Sequence, residues 1–343
     1  MDRLLEWLRR YWLALLLIIA FAVLIALSYN ELQAIARVLL RSRWQWIAVA
    51  VILQGIYYVV YTYEYVLGFA AVGVQSRVLE LLPVLFASIF VKAVIPSGGI
   101  SSLAVFIQDA SRRGQPGARA AEGSLLILVA DLVAVIPLII IGLVYLAARH
   151  VLVDYQLLTS ILFLVFTAVL IVIVLLGRWL PRQLQHGFIW TERGINWVAR
   201  TVTHRPWLPV GWGGQQAAQF IGAAHSLTKH PRLIGYIFGT ALAGHLINLI
   251  SLAAVSLAYS SRLGAATITA AFAMNIVFSV ITILPHGLGV AESVMVLVFL
   301  SLGVALPVAI VITVAYRGLN VWLPIVIGFF FLRQVTTHRR RHQ

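Results

Sequence analysis

The chain has 343 residues, of which 62% are hydrophobic and 10% are charged, and its net charge is +14. Soluble domains carry about 25% charged residues, so this composition excludes an ordinary soluble protein and predicts a polytopic membrane protein of the all-α class. The chain has no cysteine, and its nine histidines adopt no metal-ligand spacing such as HExxH. We therefore expect no metal and no cofactor. The basic residues concentrate in connecting segments and at the ends, which favours membrane lipids over nucleic acid as partners.

The first half of the chain contains apolar runs long enough to cross a bilayer. Residues 11–28 are interpreted as a membrane helix, because the run exceeds the apolar core of a signal peptide. A second spanning helix is predicted at about 45–67. An apolar arm at about 79–95 ends in "IPSGGISS" (95–102), and a long helix follows at about 120–147.

The second half repeats this layout after a helix at about 157–177 and a more polar segment at 178–231. That segment is interpreted as a cytoplasmic amphipathic insertion on the membrane surface, against the alternative of a soluble loop packed on the bundle. Its apolar stripe comprises Leu184, Phe188, Ile195, Val198 and Val202. The remaining apolar runs lie at 232–259, 265–284, 288–302 and 305–332.

Two breaks share one pattern, in which a proline, one further residue and a glycine follow an apolar arm. Pro285 follows Pro96 after nearly the same interval that separates the neighbouring helices of the two halves. This predicts a single transmembrane domain, residues 1–343, built from repeats at about 11–147 and 157–332. We expect three spanning helices and one re-entrant broken hairpin in each repeat. The alternative is a proline kink in two ordinary helices.

The orientation follows from counting crossings. Three spans per repeat invert the second copy, so both termini are expected in the cytoplasm of a protein of the cell membrane. The hairpin at 79–107 then enters from the cytoplasm, and the hairpin at 265–302 enters from outside. Most basic residues fall on the cytoplasmic side, as the positive-inside rule requires. Arg37, Arg41 and Arg43 are exceptions, because this orientation places them outside.

Charged residues at membrane depth are costly and are usually functional. Asp131 and Arg317 each lie midway along a predicted helix, and their separation along the chain is close to that of the two breaks. They form either a structural ion pair or a lipid site, in which Arg317 binds a phosphate and Asp131 supplies the counter-charge. Glu292 follows the second break and either caps its own helix or binds a cation or proton. Lys92 precedes the first break and either snorkels to the interface or faces the phosphate.

The breaks themselves are candidate anion sites, because a helix that begins at membrane depth points free N–H groups at its surroundings. The residues concerned are Ser97, Gly98, Gly99, His286, Gly287 and Gly289. Glu64 is interpreted as an interface anchor. His245 with Asn248, and Asn275 with Ser279, are spaced for interhelical hydrogen bonds.

The run from "ILPHGLGVAES" onward resembles the flippase-like transmembrane domain of lysylphosphatidylglycerol synthases. That family typically has P-G-G-x-G-x-x-E and, some two dozen residues later, R-x-x-x-x-W/Y-x-P closing in glycine. The matching residues are Pro285, Gly287, Gly289, Glu292, Arg317, Trp322, Pro324 and Gly328. His286 stands where glycine is usual.

The resemblance implies a stand-alone member without an aminoacyltransferase domain, which moves a phosphate-bearing lipid between leaflets. Anionic or aminoacylated phospholipids and polyprenyl-linked lipids are the expected partners, and no catalysis is expected. The sequence has no Walker motif for ATP hydrolysis. One alternative is an intramembrane lipid-headgroup transferase that uses His286 and Glu292. Another is a non-transporting accessory subunit of a lipid-modifying enzyme. The oligomeric state stays open, a homodimer included.

Overall fold

The structure, a computed structural model, describes residues 37–40, 42–95, 100–203, 205–209, 211–229, 231–259, 263–282, 284 and 287–337. Within these ranges the regular secondary structure is helical. The helix predicted at 11–28 lies outside the described residues. Five described segments are long and apolar enough to cross a membrane: Trp44–Ala71, Gly117–Ala148, Asp154–Trp179, Pro231–Ala258 and Leu306–Leu332.

The first group of helices confirms the predicted runs with one interruption. It comprises α1 (Trp44–Ala71), α2 (Val78–Val94), α3 (Ile100–Arg112), α4 (Gly117–Ala134) and α5 (Ile136–Ala148). The single helix expected at 120–147 is thus divided at Val135. Pro137 explains the division, because proline has no N–H to continue the α4 hydrogen-bond pattern and is well suited to the first turn of a new helix.

The later helices follow the same order. They are α6 (Asp154–Trp179), α7 (Pro181–Thr203), α8 (Trp212–Lys229), α9 (Pro231–Ala258), α10 (Ala265–Ile281), α11 (Val290–Ser301), α12 (Leu306–Arg317) and α13 (Leu323–Thr337). A five-residue π-helix, Gly318–Trp322, joins α12 to α13. The helix expected at 305–332 is therefore also interrupted, again just before a proline, Pro324.

The helix lengths of the two groups match. Both α1 and α9 have 28 residues, and both α2 and α10 have 17. Helix α3 has 13 residues and α11 has 12. Each helix from α9 to α13 begins at nearly the same interval after its counterpart among α1 to α5.

The packing between the two groups is reciprocal. Helix α1 packs along α9, α2 packs along α13, and α10 packs along α5. Each of the last two contacts depends on a glycine at the equivalent position. A Cβ on Gly328 would overlap the carbonyl of Phe86 in α2, and one on Gly142 would come within 2.9 Å of the Ala273 Cβ in α10.

The α2–α3 pair folds back on itself. The two helices pack against each other, and the Arg113 guanidinium forms a 3.2 Å ion pair with Glu80 in the first turn of α2. The two outer ends of the pair therefore lie side by side. Helix α11 likewise packs against α10.

The segment 178–231, interpreted from the sequence as an amphipathic insertion, contains the two helices α7 and α8. Glu192 of α7 accepts hydrogen bonds from the backbone N–H groups of Gly211 (3.1 Å) and Gly213 (2.7 Å) at the start of α8. Leu184 and Phe188 face the protein, and Phe188 stacks on Phe220 of α8. Other large apolar side chains of α7 are exposed, which suits a membrane surface: Trp190, Ile195, Trp197 and Val198.

Candidate functional site

Arg317 lies in the interior of the protein, at the point where α12 ends and the π-helix begins. Its side chain is only 3% exposed. Pro324 causes the change from α-helix to π-helix at this point, because it cannot donate the hydrogen bond that the Asn320 carbonyl would accept in a regular α-helix. π-helical turns of this kind are frequent at functional sites.

Glu292 holds Arg317 and its own helix terminus at the same time. Its Oε1 accepts a 2.7 Å hydrogen bond from Arg317 Nε, and its Oε2 accepts one of 2.7 Å from the Gly289 N–H. The carboxylate therefore bridges a buried guanidinium and the first free N–H of α11. The expectation that Glu292 caps its own helix is confirmed, and its pairing with Arg317 is additional.

The end of α10 supplies a third side of this centre. Arg317 Nη1 donates a 3.5 Å hydrogen bond to Ser279 Oγ. Gly287 packs against the same turn, since a Cβ there would come within 2.8 Å of the Ser279 Cα. Gly287 and Gly289 both have positive φ, 64° and 84°, which is easily adopted only by glycine. Pro285 and His286 lie outside the described residues.

A polar network fixes the π-helix. The Tyr58 hydroxyl donates a 2.9 Å hydrogen bond to the Asn320 carbonyl that Pro324 leaves free. The Asn320 amide donates to Asn248 Oδ1 at 3.0 Å, and Gln54 donates to the same oxygen at 3.3 Å. Helices α1 and α9 thus support the backbone on which Arg317 is carried. The interhelical role predicted for Asn248 is confirmed.

Asp131 lies in α4, about one turn before the interruption at Val135, and has a different partner. His245 Nε2 lies 3.1 Å from Asp131 Oδ1 and 3.1 Å from the Asp131 carbonyl oxygen. Lys92, near the end of α2, is close enough for its charge to act on Asp131. Of the two alternatives for Asp131 and Arg317, the structural ion pair is therefore wrong, because among the described residues each forms its ion pair with another side chain.

The two centres correspond position by position. Lys92 and Ser279 stand near the ends of the equivalent arms α2 and α10, and Asp131 and Arg317 stand at equivalent positions in α4 and α12. Tyr58 of α1 and His245 of α9 also hold equivalent positions, and each donates to a backbone carbonyl of the break that it faces. A constant separation along the chain thus identifies residues at equivalent positions in the two groups of helices, and such residues need not be in contact.

The structure gathers part of the predicted set. Arg317, Glu292, Gly287 and Gly289 meet in one centre, and Lys92 and Asp131 belong to the other. Ser97, Gly98, Gly99 and His286 lie outside the described residues. The sequence analysis did not identify Tyr58 and Gln54. The one feature that could have indicated them is their four-residue spacing, which places two polar side chains on the same face of α1.

Two cavities lie away from both centres. One, of about 490 Å³, is polar and lined in part by Arg119, Glu122, His225 and Lys229. The other, of about 320 Å³, is apolar and lies between α9 and α10. In the described part of the chain no group of three His, Cys, Asp or Glu side chains is arranged to hold a metal ion.

The family comparison covers both centres. The model of the lysylphosphatidylglycerol synthase TM region matches residues 11–328. The chain belongs to this family. The match includes the repeated helices from α1 to α12 and the break at Arg317, so the centres described above lie within the family domain. No curated protein and no solved structure matches the chain.

Proposed function

We propose that this membrane protein moves a phosphate-bearing lipid between the two leaflets and that Arg317 binds the phosphate. One observation carries the proposal: the Glu292 carboxylate occupies two anion-seeking donors at once, the buried Arg317 guanidinium and the Gly289 N–H at 2.7 Å each. Arginine is always charged in proteins, so at membrane depth it needs an anion. A lipid phosphate offers the same oxygen chemistry as this carboxylate.

Exchange between the two anions follows from the geometry. The Glu292 side chain is 21% exposed while Arg317 is 3% exposed, so the carboxylate stands between the guanidinium and the surrounding space. A headgroup that enters meets Glu292 first and displaces it from Arg317. When the phosphate leaves, Glu292 returns to Arg317, so the buried guanidinium has an anion in both states and is never left unpaired, which would be costly.

The architecture that suits this function is a pair of inverted repeats, each with three spanning helices and one re-entrant hairpin, and with both termini in the cytoplasm. The matched helix lengths and the reciprocal packing of α2 with α13 and of α10 with α5 support it. The Glu80–Arg113 ion pair supports a hairpin whose ends return to one side. Two breaks entering from opposite sides give a headgroup a polar route across the membrane.

The family and the site together support the proposed lipid class. A family named for lysylphosphatidylglycerol synthases and an arginine at depth favour an anionic or aminoacylated phospholipid, or a polyprenyl-linked phosphate. Transport is proposed in preference to catalysis because Glu292, the acid of the alternative transferase, is engaged by Arg317 and the Gly289 N–H.

The test is lipid movement by the purified protein in liposomes. Labelled phosphatidylglycerol is placed in one leaflet, and its transfer is followed with a membrane-impermeant quencher. We expect movement by the native protein and at least about a tenfold loss in Arg317→Lys, because a lysine cannot reproduce the guanidinium fork and a charge-assisted hydrogen bond contributes about 1.5–3 kcal/mol. The matched control is Arg149→Lys, at the exposed end of α5, which should behave like the native protein.

Three results would contradict the proposal. Equal rates in Arg317→Lys and Arg149→Lys would remove Arg317 from the lipid path. Headgroup turnover without transfer would favour the intramembrane transferase. A folded protein that moves no lipid by itself would favour the accessory subunit.

A further inference from the structure

A buried cluster of titratable residues lies between α1, α2, α4 and α9, and the phosphate site does not use it. Its best-defined contact is the Asp131–His245 pair, with both oxygen distances at 3.1 Å. The Asp131 side chain is 37% exposed although it lies midway along the α4–α5 span. The carboxylate is therefore both deep and accessible.

Glu64 is the second acid of the cluster, and its position contradicts the expected interface anchor. It faces the protein interior and is 2% exposed. Among the described residues its Oε1 has no hydrogen-bond partner, and its charge would act on Asp131. An ionised Glu64 would thus be a buried, incompletely paired anion close to a second one. Such a group is stable only when a proton or a cation neutralises it.

A row of tyrosines connects the two acids. Tyr57, Tyr61 and Tyr65 follow one another at four-residue spacing on α1, with ring centroids 5.7 Å and 5.5 Å apart. Residues at this spacing share a helix face, as does Glu64, three residues after Tyr61. Tyr57 and Tyr61 are each close enough to both Asp131 and Glu64 to feel their charges. Tyr57 also packs against Gly244 of α9, the neighbour of His245, since a Cβ there would lie 3.5 Å from the Tyr57 ring. The tyrosine row therefore leads along α1 from Glu64 to the helix that carries His245.

We propose that this cluster binds a proton and transfers it between Glu64 and the Asp131–His245 pair, so that lipid movement is coupled to the proton gradient. The coupling rests on the proposed function, whereas the proton site does not. In the transfer, Tyr61 accepts the Glu64 proton while the tyrosines pass a proton to the Asp131 carboxylate. Glu64 ends ionised, Asp131 ends neutral, and the tyrosines are unchanged.

The groups around the cluster suit this exchange. Those that face it are Tyr57, Tyr61 and Tyr65 of α1, Lys92 of α2, Asp131 of α4, His245 of α9 and Tyr316 of α12. Lys92 and His245 bring two potential positive charges to two carboxyl groups. These positive charges stabilise whichever of the two acids is ionised, and a proton that moves between the acids leaves the total charge of the cluster unchanged. Glu64 lies about two turns before the end of α1 at Ala71, which gives it a short path to the aqueous side.

Two measurements on the full-length protein test the proposal. The first is the infrared band of protonated carboxyl groups in reconstituted membranes. We expect part of this band to be lost in Glu64→Gln and kept in Glu80→Gln, the matched change of an acid that is 46% exposed. The second is the ratio of lipid transfer rates with and without an imposed pH gradient, which should differ from unity in the native protein and in Glu80→Gln. In Glu64→Gln this ratio should fall to unity.

The outcomes separate the two proposals. If Glu64→Gln loses part of the band and the native protein transfers no lipid with or without the gradient, the proton site is supported and the transport function is contradicted. An unchanged band in a monodisperse Glu64→Gln protein would overturn the proton site. A native transfer rate that is indifferent to the gradient would overturn the coupling.

Discussion

At the scale of single residues, Glu292 has two tasks that a neutral side chain cannot perform together. It balances the charge of Arg317 and accepts the Gly289 N–H. Glu292→Gln keeps the shape of the side chain but leaves a buried guanidinium without its counter-charge. Removing one partner of a buried ion pair costs about 3–5 kcal/mol.

We therefore expect Glu292→Gln to lower the thermal stability of the protein in detergent with neutral lipid. Phosphatidylglycerol should restore most of the loss, because its phosphate replaces the missing carboxylate. Thermal unfolding with and without the anionic lipid measures this. Ser293→Ala, which removes a hydrogen bond to the Gly289 carbonyl, is the control and should lose about 1 kcal/mol with no recovery in anionic lipid. A loss in Glu292→Gln that is the same in both lipids would argue against phosphate binding at Arg317.

The same residues mark the limit of sequence reasoning. The offset between Asp131 and Arg317, which is close to that of the two breaks, left a direct contact open, yet it only records that the two residues hold equivalent positions in α4 and α12. Their true partners, His245 and Glu292, come from other helices, and no spacing along the chain specifies which helices meet. Glu64 was misplaced for a related reason: hydropathy gives the depth of a residue but not which side of its helix faces protein.

At the scale of helices, apolar length and the proline–glycine breaks were enough to predict most of the described elements. The predicted arm at 79–95 is α2 (Val78–Val94), and the arm at 288–302 is α11 (Val290–Ser301). The interruptions before Pro137 and Pro324 were missed because a proline inside a membrane helix is often tolerated. The π-helix depends on Tyr58 from a distant helix, which a local pattern cannot specify.

The reciprocal helix contacts give a prediction about packing. Gly328→Ala places a Cβ against the Phe86 carbonyl, and Gly142→Ala places one 2.9 Å from the Ala273 Cβ. Overpacking of this kind costs about 1–3 kcal/mol, and the larger loss is expected for Gly328→Ala because backbone atoms yield less than side chains. Gly239→Ala is the control, since nothing lies within 4 Å of its Cβ, and it should be neutral or slightly stabilising. Thermal unfolding of the three variants measures the order of their stabilities. If Gly328→Ala and Gly142→Ala are as stable as Gly239→Ala, neither glycine lies in a close contact.

At the scale of the whole molecule, the absence of cysteine allows a direct test of the inverted repeats with single-cysteine variants. Under the proposed orientation the first hairpin opens to the cytoplasm and the second to the outside. A cysteine at Ser97 should then react with a membrane-impermeant thiol reagent added from the cytoplasmic side, and one at His286 should react from the outside. Gln75 and Gly264, in the loops that precede α2 and α10, serve as reference positions for the two sides. We expect Ser97→Cys to react from the same side of the membrane as Gln75→Cys, and His286→Cys to react from the same side as Gly264→Cys. If both hairpin positions react from the same side, the two repeats have the same orientation, and a headgroup route made of two opposed breaks is ruled out.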